Sequence, residues 1–336
     1  MSEPVPDRLH DEPDFKLQSG RRLPATVAYV TLGKLNEERS NAILVTHGYT
    51  SSHRFILDGE SAIETAWNQL VGPGRAIDTD KFYVVSSNAL GSSYGSTSPA
   101  SIEPQTGKPY GSRFPNVGFG DVVALQRRLL DALGVRRLHA VVGVSMGGYQ
   151  ALQWGTQYPE DMAKLVVALS AFSSSPGSLA SMRRAFEADS SWNAGHPLPR
   201  ALTPLLTRMR SDTLLRYGLK EWLDDQDLSP EECGLVLERQ AREWAEIFDP
   251  NSLLVLRAAQ AYDVRDKLDR IKAEVLLVLS STDSIFPASA GQSMVEQLNA
   301  HGINTKYQEL QSNYGHLASG LDWKKWATQL QEFLYS

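Results

Sequence analysis

The chain has 336 residues, 42% of them hydrophobic and 21% charged, and its formal net charge is -6. This composition suits a globular protein with a sizeable core, and the length fits one large domain with an insertion or two domains. The negative charge gives the molecule as a whole no attraction to nucleic acid or to an anionic membrane, so we expect neither as a partner.

The N-terminal residues and the single cysteine indicate the compartment. Residues 1–13 are polar and acidic and lack the apolar segment of a signal peptide. No apolar run is long enough to cross a membrane. Cys233 has no second cysteine to pair with, so an internal disulfide is excluded and nothing marks an oxidising compartment. We therefore expect a cytoplasmic protein.

Short apolar runs rich in β-branched residues predict a series of buried strands. A strand-like alternation comes first at 25–36, and the later runs are Ala42–Thr46, 82–86, 139–144, 164–170 and Glu274–Ser280. Continuous apolar runs of this length suit strands that are buried on both faces of a parallel sheet. Helical patterns lie between them, the clearest at 121–133, with Asp121 as the expected N-cap and Gly134 as the stop. The alternation predicts an α/β fold with a mostly parallel central sheet.

Between residues 173 and 263 the strand series is interrupted. This stretch holds no convincing strand but does hold helical patterns, such as Leu179–Glu187 and 230–247. We interpret 173–263 as a helical cap inserted into a core formed by residues 1–172 and 264–336. A second domain with a function of its own is the alternative.

The sharpest motif is Gly-Val-Ser-Met-Gly at 143–147, which follows an apolar strand and precedes a helical pattern. A Gly-x-Ser-x-Gly sequence in that context is typical of the nucleophile elbow of the α/β-hydrolase fold. The tight turn exposes the serine at the N-terminus of a helix, where free N–H groups favour negative charge. We therefore predict Ser145 as the nucleophile. The alternative is a glycine-lined turn in which this serine only caps a helix.

A serine hydroxyl is a weak nucleophile, so it needs a base and a residue that orients the base. In this fold the order along the chain is serine, acid, histidine. His316 lies in the loop after the strand-like run Thr305–Leu310, whereas His301 fits a surface turn after a helix. Asp283 lies in the loop after Glu274–Ser280. We predict His316 as the base and Asp283 as its orienting acid.

An oxyanion hole needs two backbone N–H groups, one from the residue after the nucleophile and one from the loop after an early strand. These positions are Met146 and Tyr49, and His47 in the same loop is interpreted as structural. The sequence has no metal-ligand spacing of histidines, cysteines or carboxylates, and no glycine-rich phosphate loop. We expect neither a metal nor a cofactor.

Several further motifs match one known family. They are Gly-Ser-Ser-Tyr-Gly-Ser-Thr-Ser-Pro at 91–99, Pro-Gln-Thr-Gly-Lys-Pro-Tyr-Gly at 104–111, Phe-Asp-Pro-Asn-Ser at 248–252 and Tyr-Gly-His at 314–316. Through them nearly the whole chain resembles the homoserine O-acetyltransferases and their hydrolase-like relatives. The resemblance implies an α/β-hydrolase fold and places the family's triad on Ser145, Asp283 and His316.

One departure from the family bears on the acceptor. The family transferases hold the charged groups of the amino acid with an arginine and a tyrosine of the cap and with an aspartate directly after the catalytic histidine. Here Leu317 takes the place of that aspartate, and our alignment of the cap puts Leu202 and Met209 at the other two positions. A zwitterion that leaves water needs paired charges, so the resemblance implies that homoserine is a poor acceptor.

A different alignment register of the cap would bring an arginine to the acceptor site in place of these apolar residues. The candidates are Arg200, Arg208 and Arg210, which lie close together in the sequence.

We therefore predict a carboxylic-ester hydrolase that forms an acyl-enzyme on Ser145 and favours short acyl groups, with a small ester or thioester as substrate. The alternative is an acyl-CoA-dependent O-acyltransferase, similar to homoserine O-acetyltransferase, that uses the same triad. A non-catalytic binding module on a hydrolase fold is a third reading, which the complete triad disfavours. The assembly is left open, with a homodimer among the options.

Overall fold

The computed structural model describes residues 5–57, 66–175, 177–198 and 200–336; of the N-terminal stretch discussed above, residues 1–4 lie outside this part. One eight-stranded sheet forms its centre. Its strands are Arg8–Lys16 (β1), Arg22–Leu32 (β2), Ala42–Thr46 (β3), Tyr83–Ser87 (β4), Leu138–Val144 (β5), Met162–Ala168 (β6), Glu274–Ser280 (β7) and Thr305–Leu310 (β8). The order across the sheet is β1-β2-β4-β3-β5-β6-β7-β8, and β2 alone runs antiparallel to its neighbours.

Helices connect the strands and follow them. The α-helices are Phe119–Ala132 (α1), Met146–Gln157 (α2), Leu179–Glu187 (α3), Thr203–Arg216 (α4), Leu219–Asp224 (α5), Pro230–Ala245 (α6), Pro250–Ala259 (α7), Gly291–Ala300 (α8), Ala318–Leu321 (α9) and Ala327–Tyr335 (α10). Short 3-10 helices are His53–Ile56, Ala66–Gln69, Gly111–Arg113, Ser190–Gly195, Arg265–Arg270, Ala288–Ala290, Gly315–Leu317 and Trp323–Lys325. No helix in the described ranges is long and apolar enough to cross a membrane.

The apolar runs form the central strands because the sheet is covered on both faces. Leu44 and Val141 belong to the hydrophobic cluster on one face, and their chain neighbours Val45 and Val142 belong to the cluster on the other. Successive side chains of a strand point to opposite faces, so a strand covered twice must be apolar throughout. The prediction of a mostly parallel sheet with buried strands is confirmed, and so is the α/β-hydrolase fold.

One local prediction was wrong. Asp121 does not cap α1; the N-cap is Gly118, and Asp121 accepts hydrogen bonds from the backbone N–H of Gly118 (2.9 Å) and of Gln18 (2.6 Å). The carboxylate of Asp121, three residues after the N-cap, thus accepts the backbone N–H of the capping residue and lies near the positive end of the helix dipole. The acidic N-terminal stretch also contributes an edge strand, β1, whose residues are mostly exposed.

The described residues of 173–263 form five α-helices, α3 to α7, and contribute no strand to the central sheet. The sequence indicated no strand here, yet two-residue strands at its ends, Ser173–Ser174 and Tyr262–Asp263, pair antiparallel with each other. Two further short ribbons occur elsewhere, Val71–Gly72 with Ile77–Asp78 and Ile102–Glu103 with Lys108–Pro109. The division into core and cap stays a prediction.

Candidate active site

Ser145 occupies a strained turn between β5 and α2. Its backbone angles are φ 56° and ψ −120°, a region that residues other than glycine rarely adopt. The turn is held at both sides, since the N–H of Ser145 donates to the carbonyl of Ala168 (2.9 Å) and Thr46 Oγ1 donates to the carbonyl of Gly147 (2.9 Å). This strained turn therefore places the Ser145 hydroxyl at the carboxyl edge of the sheet.

Glycines at 143 and 147 are required by close approach rather than by unusual backbone angles. A Cβ at Gly143 would collide with the carbonyl oxygen of Gly147, and a Cβ at Gly147 would collide with that of Thr46. In both cases the obstacle is backbone, which cannot rotate away. The small residues of the motif thus let α2 begin directly against β3 and β5.

We predict that Gly147→Ala lowers the free energy of unfolding by about 1–3 kcal/mol, the usual cost of overpacking a close-packed site. Urea unfolding would measure the change. The matched control is Gly234→Ala in α6, where a Cβ meets no atom within 4 Å. There the substitution should raise stability by about 0.5–1 kcal/mol, because alanine favours a helix. Equal effects of the two substitutions would contradict the close-approach argument.

The three residues predicted to act together form one hydrogen-bonded row. The hydroxyl of Ser145 donates to His316 Nε2 (2.8 Å), and His316 Nδ1 donates to Asp283 Oδ2 (2.8 Å). The other carboxylate oxygen of Asp283 accepts the backbone N–H groups of Ile285 (2.8 Å) and Phe286 (3.2 Å). The Asp283 side chain is fully buried and that of His316 is 5% exposed. This is the arrangement in which an imidazole can remove the serine proton while a carboxylate fixes its orientation.

Two aromatic rings flank the imidazole of His316. The ring of Tyr217, at the C-terminal end of α4, lies 4.7 Å away between centroids, and that of Phe286 lies 5.5 Å away. The cap and the histidine loop also meet through backbone, since the N–H of Leu317 donates to the carbonyl of Tyr217 (3.2 Å). The stretch 173–263 therefore supplies one wall of the site.

Both predicted oxyanion donors lie near Ser145. Met146 follows it and begins α2, and Tyr49 follows Gly48, where an added Cβ would lie 3.8 Å from the Cβ of Ser145. Within the described ranges, neither backbone N–H is used by another protein group. The Tyr49 side chain is fixed separately, because its hydroxyl donates to the carbonyl of Leu253 (2.7 Å). Burial raises the pKa of this phenol, which keeps it neutral.

His47 supports the loop that carries Tyr49. It is fully buried, its Nδ1 donates to the carbonyl of Gly48 (2.8 Å), and its Nε2 accepts the N–H of Ala89 (3.0 Å). Both nitrogens are thus committed as a neutral ring, and burial lowers the pKa of His47 from 6.5 to about 4. The sequence interpretation of this histidine as structural fits these contacts.

This lowered pKa predicts a loss of stability in acid. In the unfolded chain His47 takes up a proton below pH 6.5, but in the folded chain only below about pH 4. Folded protein therefore loses stability as the pH falls through that window, by about 3 kcal/mol at 1.36 kcal/mol per pKa unit. Urea unfolding from pH 7 to 4 would measure it, and His47→Gln should flatten the slope. An unchanged slope in the variant would contradict the assignment.

A small cavity of about 60 Å³ opens at Ser145 and His316. Thr50, Tyr217 and Leu317 are among its other lining residues. Leu317 is 8% exposed and packs in a cluster with leucines of α4 and α5. The position after His316 is therefore apolar in the folded protein, as its sequence indicated.

The two cap residues that the sequence alignment placed at the acceptor site do not line this cavity. Leu202 is buried in the main hydrophobic core, and Met209 packs against that core. Neither residue lines this cavity. Arg210 is buried instead, and its Nη1 donates to Thr50 Oγ1 (2.9 Å). Tyr217 lies about two turns further along, on the same side of α4. The sequence analysis named Arg210 among three candidate arginines but did not connect it with Tyr217, and the helical spacing of the two is the signal that could have done so.

The other two candidate arginines lie elsewhere. Arg208 is exposed, and the side chain of Arg200 is 69% exposed with its nearest carboxylate, that of Glu246, at 4.0 Å. Arg210 also packs over the ring of Trp244, with 5.2 Å between guanidinium carbon and ring centroid. Of the three, only Arg210 is buried next to the cavity at Ser145.

Comparisons with known proteins agree with the observed fold and show which enzymes have similar sequences. A sequence model of a family described as alpha/beta hydrolase fold matches residues 41–321. Homoserine O-acetyltransferases of Geobacter sulfurreducens and Deferribacter desulfuricans are 36% and 35% identical to this chain. Each alignment covers 96% of this chain, and the relatives are covered over 95% and 93% of their lengths.

Solved structures of both reaction types superpose on the chain. An acetylester hydrolase from Corynebacterium glutamicum has a TM-score of 0.81 at 26% identity, covering 98% of this chain and 96% of that one. A homoserine O-acetyltransferase from Bacillus anthracis has a TM-score of 0.89 at 24% identity, covering 100% of this chain and 99% of that one. At that identity the second structure shows the shared fold alone.

Proposed function

The chain belongs to the α/β-hydrolase fold family, as a relative of the homoserine O-acetyltransferases, and on that premise we propose that it transfers short acyl groups to a hydroxyl acceptor through an acyl-enzyme on Ser145. It is an enzyme of the esterase or O-acyltransferase type. The relatives favour the transferase, which was the alternative in the sequence analysis, over the ester hydrolase that was preferred there.

The first half of the proposed reaction loads the serine. Ser145 Oγ attacks the carbonyl carbon of an ester or thioester while His316 Nε2 takes the hydroxyl proton. The backbone N–H groups of Tyr49 and Met146 stabilise the oxyanion that forms. When the C–O or C–S bond breaks, His316 returns the proton to the leaving alkoxide or thiolate. The acyl group stays on Ser145, and Asp283 stabilises the imidazolium throughout.

The second half passes the acyl group on. The acceptor hydroxyl attacks the acyl carbon while His316 takes its proton, and the bond to Ser145 then breaks as the serine regains a proton. Water in place of the acceptor gives hydrolysis by the same steps. The residues that hold the acceptor therefore decide between transfer and hydrolysis.

The observation that carries the transferase proposal is the position of Arg210 and Tyr217. Arg210 reaches the catalytic cavity through Thr50, which lines it, and Tyr217 lines it directly. A buried guanidinium suits a carboxylate, which it can bind with two parallel hydrogen bonds. The cap thus offers the arginine and the tyrosine that the family resemblance implies for the acceptor, although the first alignment placed apolar residues there.

Leu317 narrows the class of acceptor. A buried leucine offers nothing to a substrate ammonium, which would be left desolvated and unpaired beside it. We therefore propose an acceptor that presents a carboxylate to Arg210 and an apolar carbon chain to Leu317, that is, a hydroxy acid without an amino group next to the carboxylate. The cavity of about 60 Å³ suits a short acyl group on Ser145.

Ester hydrolysis is the second candidate, and the same leucine favours it. If no acceptor binds well beside Leu317, water is the remaining nucleophile for the acyl-enzyme. The acetylester hydrolase that shares this fold is consistent with that outcome.

The acceptor test compares L-homoserine with 4-hydroxybutanoate, its analogue without the amino group, using acetyl-CoA as donor. We expect 4-hydroxybutanoate to be the better acceptor of the wild-type enzyme. Leu317→Asp should shift the ratio of kcat/KM values towards homoserine by roughly a hundredfold, since a buried charge pair broken on one side costs about 3 kcal/mol or more. Thiol release and mass spectrometry of the O-acetyl products would give both rates.

Leu215→Asp is the matched control, because Leu215 of α4 is a leucine that is 42% exposed, whereas Leu317 is buried. It should leave the ratio of the two acceptors at the wild-type value. A strong preference of the wild type for homoserine would contradict the proposed acceptor class. Release of CoA with neither product formed would replace the transferase proposal with hydrolysis.

A further inference from the structure

A second cavity lies beside the catalytic residues, behind the ring of Phe286. Its volume is about 310 Å³, and its walls come from α2, from the segment after β6, from α7 and from the start of α8. Phe286 lines this cavity and is also the ring 5.5 Å from His316. Among the described residues, none lines both the second cavity and the small cavity at Ser145. One aromatic side chain therefore separates it from the catalytic histidine.

Arg257 of α7 is the one charged side chain among the described residues that line the second cavity. Its Nη1 donates to Gln260 Oε1 (2.8 Å), while its buried Nε has no hydrogen-bond partner within the described ranges. Among the described residues, no carboxylate lies within ion-pair distance of the Arg257 guanidinium, although the chain as a whole carries a net charge of -6. A half-buried cation without a counter-ion is costly unless something supplies one.

Hydroxyl groups complete the walls. Ser170 is 1% exposed, lines the second cavity, and its Oγ has no partner among the described residues. Its side chain fits there because residue 148 is glycine; a Cβ at Gly148 would collide with it. Tyr149 and Ser174 also line the cavity and bring two more hydroxyl groups to its wall. The wall therefore combines an uncompensated cation with several potential hydrogen-bond donors.

The positive charge of Arg257 acts on the residues around it. It lowers the pKa of Tyr149, although burial has the larger effect and raises that pKa overall. It acts in the same direction on Tyr49, whose backbone N–H is the proposed oxyanion donor. The charge of Arg257 therefore acts both in the second cavity and on a residue next to the catalytic centre.

We propose that the second cavity binds the anionic group of a small molecule, a carboxylate or a phosphate, with Arg257 as counter-ion and Ser170 as hydrogen-bond donor. Charge-assisted hydrogen bonds of this kind are the strong ones in proteins, and a volume of about 310 Å³ is at the lower end for small-molecule sites. The proposal does not depend on whether Ser145 transfers or hydrolyses, because the two cavities are separate.

Calorimetric titration of the full chain with inorganic phosphate and with acetate tests the proposal, with acetamide as a neutral ligand. We expect saturable one-to-one binding of at least one anion and none of acetamide. The anion that binds more tightly shows whether the site prefers a phosphate or a carboxylate group. Arg257→Gln should weaken this binding at least tenfold, and Arg257→Lys should retain most of it.

Arg265→Gln is the matched control, since Arg265 is exposed, paired with Asp263 and outside the second cavity. It should bind the anion as the wild type does. If Arg257→Gln does not fold, Ser170→Ala tests the same site and should weaken binding several-fold. Absence of saturable binding of either anion to the wild type would overturn the proposal. Wild-type affinity in both the Arg257 and the Ser170 variants would also overturn it, because the anion would then bind elsewhere, such as at the oxyanion donors.

Discussion

Ser145→Ala is expected to lower kcat by roughly 10⁴–10⁶ for both p-nitrophenyl acetate and acetyl-CoA, the range seen when a triad nucleophile is removed. The variant keeps the imidazole and its bond to Asp283, but no oxygen remains to carry the acyl group. Residual activity would come from substrate binding and the oxyanion donors alone. Steady-state kinetics of the two substrates would measure the loss.

The matched control is Ser181→Ala, since Ser181 is an exposed serine of α3. It should retain wild-type kcat. A fluorophosphonate should label the wild type at Ser145 and leave the Ser145→Ala variant unlabelled. Stoichiometric labelling of another serine, or a variant within tenfold of the wild-type rate, would show that the nucleophile is assigned to the wrong residue.

Asp283→Asn is expected to lower kcat by roughly 10⁴, with little loss of substrate binding. The buried carboxylate accepts the Nδ1–H of His316 and two backbone N–H groups. An amide can present its NH2 group to the imidazole instead, which favours the tautomer that carries its proton on Nε2. That tautomer cannot take the proton from Ser145. The rates of both half-reactions should therefore fall together.

Asp263→Asn serves as the control, because Asp263 is an exposed carboxylate paired with Arg265. It should keep the wild-type rate. His316→Ala should also lose several orders of magnitude, and the double variant with Asp283→Asn should lose no more than His316→Ala alone, because the two residues act as a unit. Near-wild-type activity of either single variant would mean that another residue acts as base or orients it.

The sequence predicted the triad positions because each lies beside a strong local pattern. Ser145 follows an apolar strand and stands between two glycines, and Asp283 and His316 follow the last two strands of the series. Parallel strands bring their carboxyl ends to one edge, so the loops after them meet. Residues far apart in the chain were therefore placed together by strand order alone.

The cap residues could not be placed in the same way. Arg208, Met209 and Arg210 are neighbours on one helix, and a shift of one residue decides which of them can reach Thr50 at the wall of the cavity. That register is set by tertiary packing, such as the contact of Arg210 with Trp244, which no local pattern records. Arg257 was missed for a related reason, because it occurs in an ordinary amphipathic helix and only the fold leaves it without a counter-ion.

The most direct test of the proposed function follows the acyl group itself. The enzyme is mixed with acetyl-CoA, quenched in acid, and digested for mass spectrometry, with and without 4-hydroxybutanoate. We predict one acetyl group on the peptide that contains Ser145, and its loss, together with formation of the acetylated acceptor, when the acceptor is present. An acetyl group on another residue, or an acyl-enzyme whose breakdown the acceptor does not accelerate, would contradict the proposal.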